Sequence, residues 1–252
     1  MTLIIAASTL LERKFLSLIQ RRVGPQFVGY KGRLQYIADA LKLFGKGVLI
    51  PNQANKYLFI VFPSIVLGLC YSIWINSVWG PNVIIIDIEF NLMFISIFSV
   101  LFGLFVILTG YFSKNKYAML ASIRAGLGLL NLEIFLGLLL LHVVVLNGSV
   151  SFMDIVNKQE VYISLFSYFF VLGLIVITFL LEVNRTPFDL SEAESELVAG
   201  YNVEYGGFLF GLYYLGEYLH LLFFSLIFAT LFFSGWENPF NIFTFFYNIY
   251  IL

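Results

Sequence analysis

Charge is what this sequence has least of. Only 12% of its 252 residues are Asp, Glu, Lys or Arg, and 60% are hydrophobic, whereas an ordinary soluble domain is about a quarter charged. A mean hydropathy of +0.93 excludes the soluble globular class. Cysteine is almost missing: Cys70 stands alone inside the apolar run 57–79. That excludes an internal disulfide and a thiolate-ligated iron–sulfur cluster, and leaves a small buried apolar residue as its reading. The two histidines, His142 and His220, lie in separate apolar runs with no ligand partner at metal spacing, which argues against a zinc or haem site. No phosphate loop is present. The glycines of Ala125-Gly126-Leu127-Gly128 fall inside an apolar run rather than after a strand, so no nucleotide site is expected, and no nucleic-acid partner. The opening MTLIIAASTLLERK lacks a basic leader and a small-residue cleavage site, and it is no arginine-rich transit peptide. Nothing there reads as removable. The 29 Phe and 15 Tyr, with many Ile and Asn, suggest an AT-rich coding genome, which makes organelle encoding an expectation.

What the chain does have is long apolar runs. They fall at about 2–20, 57–79, 92–112, 118–146, 160–182 and 208–234, with an incomplete stretch at 240–252. Roughly 20 apolar residues cross a hydrocarbon core about 30 Å thick. The expected fold is therefore all-α: a polytopic transmembrane bundle of about six full spans plus a partial C-terminal one, in a single membrane domain over 1–252. The longest connections are 21–56, rich in basic residues, and 183–207, rich in acids. Arg13, Lys14, Arg21, Arg22, Lys31, Arg33, Lys42, Lys46 and Lys56 lie in or beside the first connection. Threading the spans adds Lys114, Lys116 and Arg185 to the same side, which collects twelve of the fourteen basic residues. Only Arg124, inside a span, and Lys158, opposite, remain. The positive-inside rule then puts both long connections on the inner side. Within the first, Leu34, Ile37, Ala38, Leu41, Phe44 and Leu49 recur at helical spacing with Asp39, Lys42 and Lys46 off the stripe, the pattern of an interfacial helix.

Four runs hold ionisable groups: Arg124 with Glu133, His142, Glu182, and Glu217 with His220. A charge at the bilayer centre costs about 2.5–3.5 kcal/mol on insertion scales, so such groups face protein or a hydrated cavity. For the two histidines, hydrogen bonding between helices is the preferred reading; for Glu133 and Glu217 it is function. Arg124 and Glu133 are nine residues apart, which points them to opposite sides of one helix, so they cannot neutralise each other. A carboxylate without a fixed cation in low dielectric holds its proton more tightly, which suits it to passing protons.

The densest polar motif is E-V-N-R-T-P-F-D-L-S-E-A-E-S-E-L at 182–197, followed by Gly200 and Y-N-V-E-Y at 201–205. Thr186 as N-cap, Pro187 as first helical residue and Asp189 as third start a short helix, and Gly200 stops it. The acids Asp189, Glu192, Glu194, Glu196 and Glu204 read either as a solvated face or, given nine basic residues in the other inner connection, as one wall of a charged vestibule.

This motif, together with E-R-K-F-L-S-L-I-Q-R-R-V-G-P-Q-F-V-G-Y-K-G-R-L-Q-Y-I-A-D-A-L-K-L-F at 12–44, resembles the subunit 1 family of mitochondrial NADH:ubiquinone oxidoreductase, respiratory complex I. Arg124-Ala125 with Glu133, and Glu217-Tyr218 thirteen residues after Glu204, resemble it too. The likeness runs over roughly 12–235. It implies a tilted helical bundle in the mitochondrial inner membrane that forms the chamber for ubiquinone, the substrate, and couples quinone reduction to proton translocation. Glu12, Arg13, Arg22, Asp39 and Lys42 would belong to the chamber near its entrance. Arg185, Asp189, Glu192, Glu194 and Glu204 would belong to the loop facing the quinone head, with Arg185 binding. Glu133, Glu182 and Glu217 match the family's intramembrane glutamates and would carry the proton relay. The chain would bind no redox cofactor of its own; the iron–sulfur clusters and FMN would sit in partner subunits. Implied partners are the hydrophilic quinone-module subunits, the neighbouring membrane subunits and lipid.

Two other classes compete. A proton-coupled secondary transporter would explain midplane acids but predicts inverted repeats or broken helices, and none is visible. The homologous subunit of a membrane-bound hydrogenase would use no quinone. Because thirteen residues from 240 to 252 rise only about 20 Å as a helix, a separate polypeptide is expected to supply the remaining C-terminal spans and a basic loop.

Overall fold

The structure, a computed structural model, describes residues 2–80, 83–84, 86, 88, 90–158, 169–182 and 200–232. Its helices are α1 (Thr2–Ile19), α2 (Gln35–Gly45), α3 (Lys56–Ile75), α4 (Asn91–Ser113), α5 (Lys116–Asn147), α6 (Phe152–Lys158), α7 (Phe169–Glu182) and α8 (Gly207–Phe232). Short 3₁₀ turns occupy Tyr30–Gly32 and Gly200–Asn202. Among the described residues, the exception to helix and turn is a small antiparallel hairpin of β1 (Val78–Gly80) and β2 (Val83–Ile84), in a connection whose sequence predicts no strand.

Among the described residues, α3, α4, α5 and α8 are long and apolar enough to cross a membrane. Helix α1 covers the first expected span but carries Glu12, Arg13 and Lys14 in its second half. The fifth expected span is described only from Phe169, and the partial span 240–252, with the expectation of a separate covering chain, lies outside the described residues.

An apolar helix satisfies its own backbone, and here it does the same for its small polar side chains. Thr109 donates to the Val106 carbonyl, Ser113 to Gly110, Ser122 to Met119 and Thr178 to Ile175, all at 2.7–2.9 Å. Helix α5 starts at Asn115, whose side chain accepts from the Tyr117 amide at 3.0 Å, and ends at Gly148 in the left-handed region. Helices α4 and α5 make the most extensive contact, because glycine lets the backbones close up. A Cβ on Gly110 would overlap Ser122 Oγ and come within 2.6 Å of the Ala118 carbonyl, and one on Gly126 would overlap the Ile107 side chain.

Helix α8 runs through the middle of the bundle, packed on α3, α2 and α1, with Leu219, Phe223, Ile227 and Leu231 all buried. Trp74 of α3 ties to it by donating from Nε1 to the Leu219 carbonyl at 3.1 Å. Helix α2 is the expected amphipathic helix, with Ile37 and Leu41 exposed on the outside of the chain. At the foot of α8, Gly207 (φ +57°) is needed because a Cβ there would meet the Lys46 carbonyl at 2.5 Å, which locks the end of α2 against the start of α8.

Candidate functional site

That junction encloses a cavity of about 730 Å³. Its walls come from α1 (Ile5, Thr9, Arg13), α2 (Tyr36, Asp39, Lys42, Phe44) and the segment 202–215, including Tyr205, Phe208 and Tyr214. The amphipathic pattern of α2 thus divides differently from a surface helix: Asp39, Lys42 and Lys46, off the apolar stripe, line the cavity. Phe44 stacks on Phe208 with centroids 5.4 Å apart.

The polar groups of the wall are paired. Arg13 Nη1 donates to Asp39 Oδ2 at 2.6 Å, and Gln35 Nε2, one turn away on α2, donates to Asp39 Oδ1 at 3.0 Å. Arg13 also interacts with Tyr214. Tyr214 donates to the Tyr218 hydroxyl at 3.1 Å, and Tyr218 donates to Glu12 Oε2 at 2.5 Å. A continuous polar chain therefore runs from Asp39 on α2, over Arg13 on α1, along one face of α8 and back to Glu12 on α1. Of the residues expected at the chamber entrance, Arg13, Asp39 and Lys42 line the cavity, Glu12 lies behind Tyr218, and Arg22 is exposed away from the wall.

A second group sits beside the 3₁₀ turn at 200–202. Tyr201 donates to Glu217 Oε1 at 2.6 Å. Burial pushes the Tyr201 phenol well above its ordinary range, and the Glu217 charge adds to that; burial likewise raises Tyr205 to about 12. Both phenols stay protonated and act as donors. Tyr205 donates to the Thr109 carbonyl at 3.3 Å and stacks on Phe59 at 4.2 Å. Glu204 does not line the cavity. It accepts from Asn115 Nδ2 at 2.5 Å, which joins the 113–117 connection to 200–205 at one end of the bundle. Arg185, Asp189, Glu192 and Glu194, with the Thr186 cap, lie outside the described residues.

Deeper in the bundle, Glu133 and Glu182 are 5% and 2% exposed. They come from α5 and α7 and are close enough to interact electrostatically, with Ser99 of α4 beside Glu133. Glu133 Oε1 and both Glu182 oxygens have no hydrogen-bond partner among the described residues. Arg124 is exposed on the other side of α5, as nine-residue spacing requires. His142 is exposed. His220 is buried between Phe102 and Phe224, and its Nε2 is without a partner among the described residues.

Sequence reasoning missed Tyr36, Tyr201 and Tyr214, Ser99, Asn115 and Asn202. A signal existed for Tyr214: it is four residues before Tyr218, so the two share a helix face. Tyr201 and Asn115 gave none, because their partners lie 16 and 89 residues away. Among the described residues, no three His, Cys, Asp or Glu side chains converge as a metal site.

The NADH dehydrogenase family model matches residues 1–252. The NADH-ubiquinone oxidoreductase chain 1 of Paramecium tetraurelia is 60% identical over 94% of this chain and 90% of its own length. That of Chondrus crispus is 40% identical over 94% of this chain and 73% of its own. A bacterial-type relative, an NADH-quinone oxidoreductase subunit of Ruthia magnifica, is 35% identical over 95% and 68%.

Proposed function

The chain belongs to the NADH dehydrogenase family and is a membrane subunit of an NADH:quinone oxidoreductase; from that premise we propose that the cavity between α1, α2 and α8 receives the ubiquinone head group. The observation that carries this reading is the cavity itself: about 730 Å³, the size of a small-molecule site, apolar in most of its wall and with a few convergent polar groups. Phe44, Phe208 and Leu215 suit an isoprenoid chain and a flat ring. Tyr36, Arg13 with Asp39, and Tyr214 supply donors for quinone oxygens.

The rest of the reading draws on the family to which the chain belongs. Electrons come from iron–sulfur clusters, and ultimately FMN, held by partner subunits; this chain binds and orients the quinone. Arg185, Asp189, Glu192, Glu194 and Glu204 belong to the loop that meets the hydrophilic quinone-module subunits. Glu217, Glu133 and Glu182 carry charge and protons from the cavity towards neighbouring membrane subunits. The connections 21–56 and 183–207 face the mitochondrial matrix and the bundle spans the inner membrane, a placement supported by the basic-residue distribution and by the mitochondrial type of the relatives. Neither the hydrogenase-subunit nor the transporter reading gains support from those relatives.

A photoreactive ubiquinone analogue tests the site in the intact complex. Labelling of peptides within 36–46 or 202–215, displaced by excess ubiquinone, is the expected result. Specific labelling confined to other segments would move the site. Orientation is tested by single cysteines at Lys114 and Ser149: an impermeant thiol reagent that modifies both from one face would refute the topology.

A further inference from the structure

The reading above leaves the buried side chain of His220 idle. His220 follows Glu217 by three residues on α8, one turn or about 4.5 Å further along the axis. Its ring stacks on Phe102 of α4 at 4.9 Å. Three residues before Phe102, on the same face of α4, is Ser99, the residue beside Glu133. The other flank of His220 meets Phe224 at 4.5 Å. Phe224 meets Phe179 of α7 at 5.0 Å, and Glu182 follows Phe179 by three residues. Two independent chains of contact thus lead from the imidazole, each within one helical turn, to the two members of the buried acid pair.

The histidine is 4% exposed and its Nε2 has no hydrogen-bond partner among the described residues. A buried ring held only for packing would be better made of carbon, since an unsatisfied polar nitrogen costs stability. The titratable groups buried in the surrounding elements are Cys70 on α3, Glu133 on α5, Glu182 on α7 and, on α8 itself, Tyr213 and Tyr218, with Glu217 close enough to Cys70 to interact with it. Imidazole is the one side chain among these that can take a proton at one ring nitrogen and release one from the other.

We propose that His220 is the proton-carrying link between Glu217 and the Glu133–Glu182 pair, so that the path from the cavity to the buried acids runs along α8. The proposal rests on the reading of those glutamates as a relay. In the step, a protonated carboxyl on the Glu217 side becomes carboxylate as the neutral imidazole becomes imidazolium. The imidazolium then returns to neutral as a carboxylate of the buried pair is protonated. No electrons move and no other bond changes.

The test is His220→Phe in the assembled complex, which keeps a flat ring between Phe102 and Phe224 but removes both nitrogens. The expected result is normal assembly, KM for ubiquinone within about twofold, and kcat of coupled NADH oxidation lowered by about tenfold or more, the scale of a lost proton-transfer group. The pH profile of kcat should lose one ionisation. Wild-type kcat and pumping in this variant would overturn the link. Glu217→Gln is measured in parallel. If it too turns over normally, the glutamate relay itself is wrong; if it is slow while His220→Phe is normal, only the histidine link fails. Should His220→Phe fail to assemble, His220→Gln, polar but unable to carry a proton, decides. Normal turnover in that variant, or failure of both to assemble, assigns His220 to packing and overturns the proposal.

Discussion

Around the cavity, polar side chains answer one another: Arg13 with Asp39, Gln35 with Asp39, Tyr214 with Tyr218, Tyr218 with Glu12. In the interior, Glu133 and Glu182 are buried close enough to interact electrostatically, and three of their four oxygens have no partner among the described residues. The two regions differ in what their charges do for the fold. A paired group at a half-exposed wall is close to neutral for stability and fixes shape. An unpaired buried carboxyl works against stability, so its retention points to a use other than holding helices together. That difference is what the proposed roles, binding at the cavity and charge movement in the interior, rest on.

The sharpest way to break the contrast is to disturb the seam that holds the interior region. Gly110→Val places a branched side chain where even a Cβ would overlap Ser122 Oγ, and should cost about 3 kcal/mol through overpacking. Loss of assembled complex on native gels is expected, and a normal yield would show that α4 and α5 are not so closely apposed. Next come Glu133→Gln and Glu182→Gln, which keep volume and remove the titratable group. Coupled turnover should fall about 100-fold while assembly stays equal to wild type or improves; reduced assembly with normal specific activity would make the pair structural.

The cavity region should respond more mildly. Tyr218→Phe removes the donor to Glu12 and the acceptor of Tyr214, worth about 1–1.5 kcal/mol, read as a lower thermal inactivation midpoint with turnover retained. The smallest effect is that of the Arg13–Asp39 pair, whose side chains are 47% and 36% exposed. A double-mutant cycle of Arg13→Ala and Asp39→Ala should give a coupling of about 0.2–1 kcal/mol in stability, while each single change raises KM for ubiquinone more than it lowers kcat. Equal losses of kcat in the cavity and interior variants would erase the distinction between the two regions.

Much of the first region was legible one residue at a time. The apolar stripe of 34–49 announced a surface helix, and the excess of Lys and Arg near 13–56 announced which connections belong together. Arg13 and Asp39 were candidates, yet nothing linear pairs them across 26 residues, or sets Lys42 on the cavity wall and Arg22 off it. The hairpin at 78–84 was not legible either, since its strands span only three and two residues, too short to show alternation.

The interior region shows the boundary between the two kinds of information most clearly. By itself the sequence determined that this is a membrane-embedded helical chain, that Glu133, Glu182 and Glu217 lie in apolar runs, and that Arg124 cannot neutralise Glu133. Those conclusions follow from hydropathy and from 100° of rotation per residue, which are local properties. Only the tertiary structure decided that Glu133 lies near Glu182, that Tyr201 reaches Glu217 and that His220, rather than His142, turns inward. Which face of an almost uniformly apolar helix is buried depends on where glycines such as Gly110 and Gly126 let a neighbour approach. That is a property of two surfaces meeting and is written in neither helix alone.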